Sequence, residues 1–111
     1  MFASEAGVQP LMYGYMRVMP EDGDDQLGRV EQQMRAFAET EGFYYATTFF
    51  EYTSGVHGAY DELAEELKRA EAHHVITPSL SHISAHLILR DHVVERLEHD
   101  ADAVVFELSE P

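Results

Sequence analysis

Cysteine is missing from all 111 residues. Its absence excludes disulfides, a thiolate nucleophile and thiolate metal sites, so burial alone must hold the fold, as suits a reducing compartment. Long apolar runs are missing too. None approaches the roughly 18 residues that span a bilayer, and the opening MFASEAGVQPL lacks the basic stretch and apolar core of a secretory signal. A cytoplasmic protein without membrane contact is expected. Basic residues are scarce: 7 Lys and Arg stand against 21 Asp and Glu, for a formal charge of −14. No basic cluster exceeds the pair Lys68 and Arg69. Phosphate backbones are held by basic patches that displace counterions, so direct contact with nucleic acid is not expected.

What is present fits one domain. Residues 1–10 show no sustained periodicity and include Gly7 and Pro10, which reads as a flexible leader before a domain spanning 11–109. From Leu11 to Met19 the chain is apolar and aromatic until Pro20 and the run EDGDD break it, the pattern of a buried strand entering a loop. Leu27, Val30, Met34, Phe37 and Ala38 recur at helical spacing between Asp24 and Glu41, with Asp24 or Asp25 placed to cap the start and Gly42 to end it. FYYATTFFEY, residues 43–52, reads as a second strand. Tyr60, Leu63, Ala64, Leu67 and Ala70 mark one face of a second helix.

His74 to Thr77 is a short apolar strand stopped by Pro78. Ser81 is placed to cap a third helix carrying Ile83, Leu87, Val94 and Leu97, its apolar face widened by Ile88, Leu89 and Val93. AVVFEL, residues 103–108, supplies a fourth strand. Strands alternating with helices predict a three-layer α/β fold whose four-stranded sheet is mostly parallel. Ligands in such folds bind beyond the carboxyl ends of the strands, which nominates Met19 and Pro20, Tyr52 to Ser54, Pro78 to His82, and Ser109.

GYMRVMP, residues 14–20, followed by a helix, FFEYTSG, a second helix and VITPSLSHIS, resembles the catalytic domain of serine recombinases, the resolvase and invertase family. The likeness follows element order across residues 11–108 and is most specific in the first strand. The family pattern there is a Tyr-x-Arg-Val stretch running into a nucleophilic serine, matched by Tyr15, Met16, Arg17 and Val18; the next position is Met19. A thioether has no proton to lose and cannot form the phosphoester that this chemistry requires. The resemblance also implies phosphate-holding arginines after the third strand, in an Asp-Arg-Leu-x-Arg pattern, and early in the second helix. SLSHIS and HGAYDEL contain none. The long dimer helix and DNA-binding domain that follow the fourth strand in the family are not expected here. The resemblance therefore implies a resolvase-like fold that has lost its catalytic set.

Each candidate has a competing structural explanation. Arg17 on a buried strand either holds an anion or pairs with one of the many carboxylates. His82 and His86 share a helix face at i, i+4 spacing, but no third ligand accompanies them, so neither a metal nor a cofactor is expected. His73 and His74 enter a strand pointing oppositely and make a poor ligand pair. The acidic run from Glu21 to Asp25 lacks the ligand spacing of a calcium loop and is better explained by helix capping. Ser79, Ser81 and His82 bring hydroxyls near an imidazole without a nucleophile elbow or an oxyanion nest, so they read as loop and capping residues.

Together with the departures from its pattern, the resemblance implies a catalytically inactive serine-recombinase-like domain, not an enzyme, that works as a homo-oligomer or with a regulatory protein. Phe49, Tyr52, Ile88 and Val93 are the candidate interface. The alternatives are a small-ligand binder or enzyme using a strand-end cleft of Arg17, Met19, Ser54, Ser79, Ser81 and His82, and an accessory protein that meets DNA through a basic partner.

Overall fold

The computed structural model describes residues 9–52, 58–79, 82 and 87–108. In chain order the elements are β1 (Leu11–Arg17), α1 (Asp24–Thr40), β2 (Tyr44–Glu51), α2 (Gly58–Ala70), β3 (His74–Thr77), α3 (Leu87–Ala101) and β4 (Val104–Glu107). The strands form one sheet in the order β2-β1-β3-β4, with every neighbouring pair parallel. The expected α/β architecture is the observed one, and each strand lies within one or two residues of its predicted span. No described helix is long and apolar enough to cross a membrane.

This strand order fixes the layers. A right-handed crossover places its helix on one face when the chain moves one way along the sheet and on the other face when it moves back. The chain moves outward from β1 to β2, then returns past β1 to β3 and β4. Accordingly α1 packs on one face, where Met34 and Ala38 are fully buried against Met12, Met16, Tyr45 and Ile76. The other face takes α2 and α3, whose Tyr60, Leu63, Leu67, Val93 and Leu97 close over Tyr13, Tyr15 and Val75. Central β1 is buried on both faces, which is why its sequence is apolar without alternation.

The imperfect alternation of aromatic residues in β2 has a local cause. Met12 pairs with Tyr45 but Gly14 pairs with Thr48, so β2 carries one extra residue at a bulge. The bulge leaves Tyr45 and Phe50 on the α1 face and Ala46 and Phe49 on the other. Tyr45 Oη and Thr48 Oγ1 lie 2.5 Å apart, Thr48 donates to Glu31 at 2.7 Å, and the Arg35 guanidinium sits 4.8 Å over the Tyr45 ring. Burial and the Glu31 charge push the Tyr45 hydroxyl up to about 12 despite the Thr48 contact.

Helix ends follow the sequence only in part. Gly42, at φ +88°, ends α1 as expected, but α2 and α3 end at Glu71 and Asp102, each at φ 54° without glycine's freedom. Neither Asp24 nor Asp25 caps α1: the cap position is Gly23, without a side-chain bond, and the two aspartates lie in the first turn, where they face the positive helix end. Ser81, the predicted cap of the third helix, is outside the described residues, as are the leader residues 1–8.

Gly14 is required by close approach. A Cβ there would lie 1.9 Å from Tyr45 Oη and 2.9 Å from its Cζ. Gly14→Ala is therefore expected to lower unfolding stability by about 1–3 kcal/mol, the usual cost of overpacking a core. Adding Tyr45→Phe should recover part of that loss, because the nearest clashing atom goes while Cζ remains; urea denaturation of the single and double variants measures both effects.

Candidate functional site

The chain leaves β1 toward α1 on one face and leaves β3 toward α3 on the other, so the carboxyl ends of β1 and β3 flank the topological switch point. A cleft of about 190 Å³ opens there, lined by Met16, Arg17, Met19, Asp22, Gln26, Leu27, Val30, Pro78 and His82. The sequence-nominated Arg17, Met19 and His82 are thus brought together. Ser79 is not part of this lining, contrary to its predicted place. Its carbonyl accepts from the His82 N–H at 3.0 Å and from the Thr77 hydroxyl at 3.4 Å. Ser54 and Ser81 lie outside the described residues.

Arg17 is bound on several sides. Its backbone N–H donates to His82 Nδ1 at 3.1 Å, its Nε donates to the His82 carbonyl at 2.9 Å, and its terminal nitrogen donates to the Tyr15 hydroxyl at 3.3 Å. Accepting at Nδ1 fixes the neutral His82 ring with its proton on Nε2. Burial holds the His82 imidazole below its ordinary range; the Arg17 charge acts in the same direction and Asp22 opposes both.

Tyr15 relays this contact to a buried acid. Its hydroxyl donates to Glu51 Oε1 at 2.9 Å, and Glu51 is only 4 % exposed. The same carboxylate accepts from the Ala59 N–H at 3.1 and 3.2 Å and from the Tyr60 N–H at 3.2 Å. These N–H groups belong to the first turn of α2, which has no carbonyl partners of its own there and carries the positive end of the helix dipole. Arg17 and Glu51 are also register partners across β1 and β2. Tyr15 thus links the Arg17 guanidinium to the Glu51 carboxylate. Burial and the bond to Glu51 push the Tyr15 hydroxyl well above the usual phenol range, and burial does the same to Tyr60, whose hydroxyl donates to the Val93 carbonyl at 3.2 Å.

The acidic run after β1 has a related role. The Met19 N–H donates to Asp22 Oδ2 at 2.8 Å and the Asp22 N–H to the Met19 carbonyl at 3.0 Å, so Asp22 pins the turn that presents Met19, 37 % exposed. The acidic run therefore does not cap α1 as expected; Asp22 holds the preceding turn instead. Among the described residues, none in the cleft lining carries a hydroxyl. Among the described residues, no three His, Asp or Glu side chains gather at metal-binding distance. His86 lies outside them. His73 and His74 diverge as expected: His73 reaches the Asp102 carbonyl at 3.0 Å, whereas His74 packs 4.5 Å from the Phe43 ring. Burial, with His73 beside it, lowers the His74 imidazole below its usual range.

The predicted interface divides. Val93 is buried against the core, so it is intramolecular packing: its helix face closes over Tyr60. Phe49 is half-buried with its ring 6.1 Å from Tyr13, while Tyr52 is 69 % exposed. The Ile88 side chain lies outside the described residues. Sequence reasoning missed Glu51 and Gln26, and gave Tyr15 and Asp22 no part in this bonded cluster and cleft. The signal for Glu51 was a lone acid closing an otherwise apolar and hydroxyl-bearing strand shortly before a helix.

Fold and cleft define a doubly wound, all-parallel α/β domain with its switch-point groups bonded to one another. No protein-family model matches the chain, and no curated protein matches it.

Glu51→Gln keeps the shape but replaces one acceptor oxygen by a donor facing N–H groups, with an expected cost of about 1–3 kcal/mol. Hydrogen exchange at Ala59 and Tyr60 should accelerate more than at Leu63, deeper in α2. An unchanged denaturation midpoint with unchanged exchange would show that Glu51 does not anchor the helix.

Proposed function

We propose that this chain is a catalytically inactive serine-recombinase-like domain that acts by associating with another protein. The observation that carries the reading is the end of β1. The resemblance to serine recombinases calls for a nucleophilic hydroxyl immediately after the Tyr-x-Arg-Val stretch, and Met19 stands there with its turn pinned by Asp22. Strand transfer needs an oxygen that can be deprotonated and esterified by phosphate, and a thioether offers none. The one matching arginine, Arg17, donates to the His82 carbonyl and the Tyr15 hydroxyl, so phosphate would have to displace existing bonds.

Charge supports the same reading. At −14 the chain repels polyanions, and SLSHIS, immediately after β3, offers no arginines to offset this. A domain that keeps the fold without nucleophile, arginine set or basic surface is suited to contact through its faces and edges. The switch-point cleft favours a second reading, a small-ligand binder, because it gathers Arg17, Asp22, Gln26 and His82 over an apolar floor of Met16, Leu27 and Val30.

The purified protein is expected to leave supercoiled plasmid intact and to form no covalent DNA adduct. Met19→Ser is expected to behave identically, since a hydroxyl without the arginine set lacks charge stabilisation worth several orders of magnitude in rate. Cleavage by either protein without divalent ions would contradict the reading. In parallel, light scattering over a concentration series should show a mass above that of the monomer, alone or with a co-purified protein; a strictly monomeric mass with an empty pull-down contradicts association.

A further inference from the structure

Among the described residues, β2 pairs only with β1, leaving its other edge open. An open edge is a row of backbone donors and acceptors available to another strand, and proteins that avoid such pairing place Lys or Pro on the edge. β2 reads YYATTFFE and has neither, although its bulge and the inward-pointing Glu51 blunt part of the edge. Four large apolar side chains are exposed in the described structure, and two of them bracket this strand: Tyr44 at its start, 59 % exposed, and Tyr52 just beyond its end. Aromatic side chains with a polar tip are the usual anchors of protein contacts.

The flank of this edge is acidic. Beside β2 lies a hollow of about 460 Å³ with Phe49 as its apolar floor and Glu62, Glu65, Glu66 and Arg69 around it. Arg69 is held by Glu66, through bonds of 2.8 and 2.5 Å, and Tyr13 donates to the same carboxylate at 2.8 Å. These bonds pull the Glu66 carboxyl down to about 2, while burial and Glu66 push the Tyr13 hydroxyl up to about 12. The rim therefore presents Glu62 and Glu65, both exposed, beside an internally neutralised pair.

We propose that the open edge of β2, with Phe49 and the Glu62–Glu65 rim, receives an extended basic segment of a partner protein as an added strand. The proposal rests on the association reading and names the partner's chemistry. Backbone bonds along the edge supply attachment, alternate side chains reach over the Phe49 hollow, and Lys or Arg at those positions meets Glu62 and Glu65. A second copy is a poor occupant, because edge-to-edge pairing would bring two acidic rims and two chains of charge −14 together. The bulge at Ala46 and Thr47 breaks the regular register and limits the added strand to a short segment.

The test titrates the full chain, isotope-labelled, with a short blocked peptide in which Lys alternates with Thr and Val, alongside the same peptide with Glu in place of Lys. The expected result is saturable amide shifts along Tyr44–Glu51 with the lysine peptide only. Binding should weaken with added salt and fall by about tenfold or more in Glu62→Lys/Glu65→Lys, whose exposed positions leave the core untouched. No shifts along β2, equal response to both peptides, or β2 shifts that depend only on protein concentration would overturn the proposal, the last by identifying a second copy as occupant. Failure here with a partner still captured overturns the edge assignment alone; plasmid cleavage overturns the non-catalytic reading alone.

Discussion

Burying the Glu51 carboxylate obliges the fold to surround it with donors, and those donors come from β1 and α2, the neighbours of β2. Tyr15 approaches from the adjacent strand, and the first turn of α2 supplies N–H groups that no carbonyl in the helix could satisfy. One side chain thus ties the end of β2 to the first turn of α2 and to β1. Arg17 joins through the Tyr15 hydroxyl and fixes the loop after β3 through the His82 carbonyl. Removing Glu51 would take an acceptor from the Tyr15 hydroxyl and from the first N–H groups of α2 in a water-poor place. The end of the sheet where a doubly wound domain ordinarily recruits a ligand is here knitted together by its own side chains.

The architecture was legible because its physics is periodic. Helical spacing in α1 and α2 placed Met34, Ala38, Leu63 and Leu67 inward, where they are fully buried. The unbroken apolar character of β1 announced a strand covered on both faces. Less legible was everything set by single contacts. Glycine marked the end of α1, but the left-handed residues ending α2 and α3 are Glu71 and Asp102, which nothing local distinguishes. The β2 bulge was visible only as faulty alternation, because an extra residue shifts facing without leaving a composition signal. Val93 was misread as surface because a wide apolar stripe does not say how much of it a neighbouring helix will cover.

The candidate site was half legible. Arg17, Met19 and His82 converge as strand-end topology required, whereas Ser79 is not in the cleft lining and its carbonyl accepts from the His82 N–H and the Thr77 hydroxyl. The roles of Tyr15, Glu51 and Asp22 depend on partners up to 36 residues away, which no local pattern reports. What the resemblance to recombinases contributed was an expectation to measure against: a hydroxyl at residue 19 and arginines after β3. The departures from that pattern, together with the bonds holding Arg17, are what turn a generic acidic domain into the proposal of a fold kept for contact.

The account stands or falls on whether the Arg17 guanidinium is committed to the fold. The direct measurement is nitrogen-edited NMR of the Arg17 Nε–H during titration with dimethyl phosphate, a minimal phosphodiester. The account predicts a slowly exchanging signal, held by the His82 carbonyl, that does not move as the phosphodiester is added. A saturable shift of that signal, accompanied by the amide of His82, would show a guanidinium released to phosphate and contradict the account.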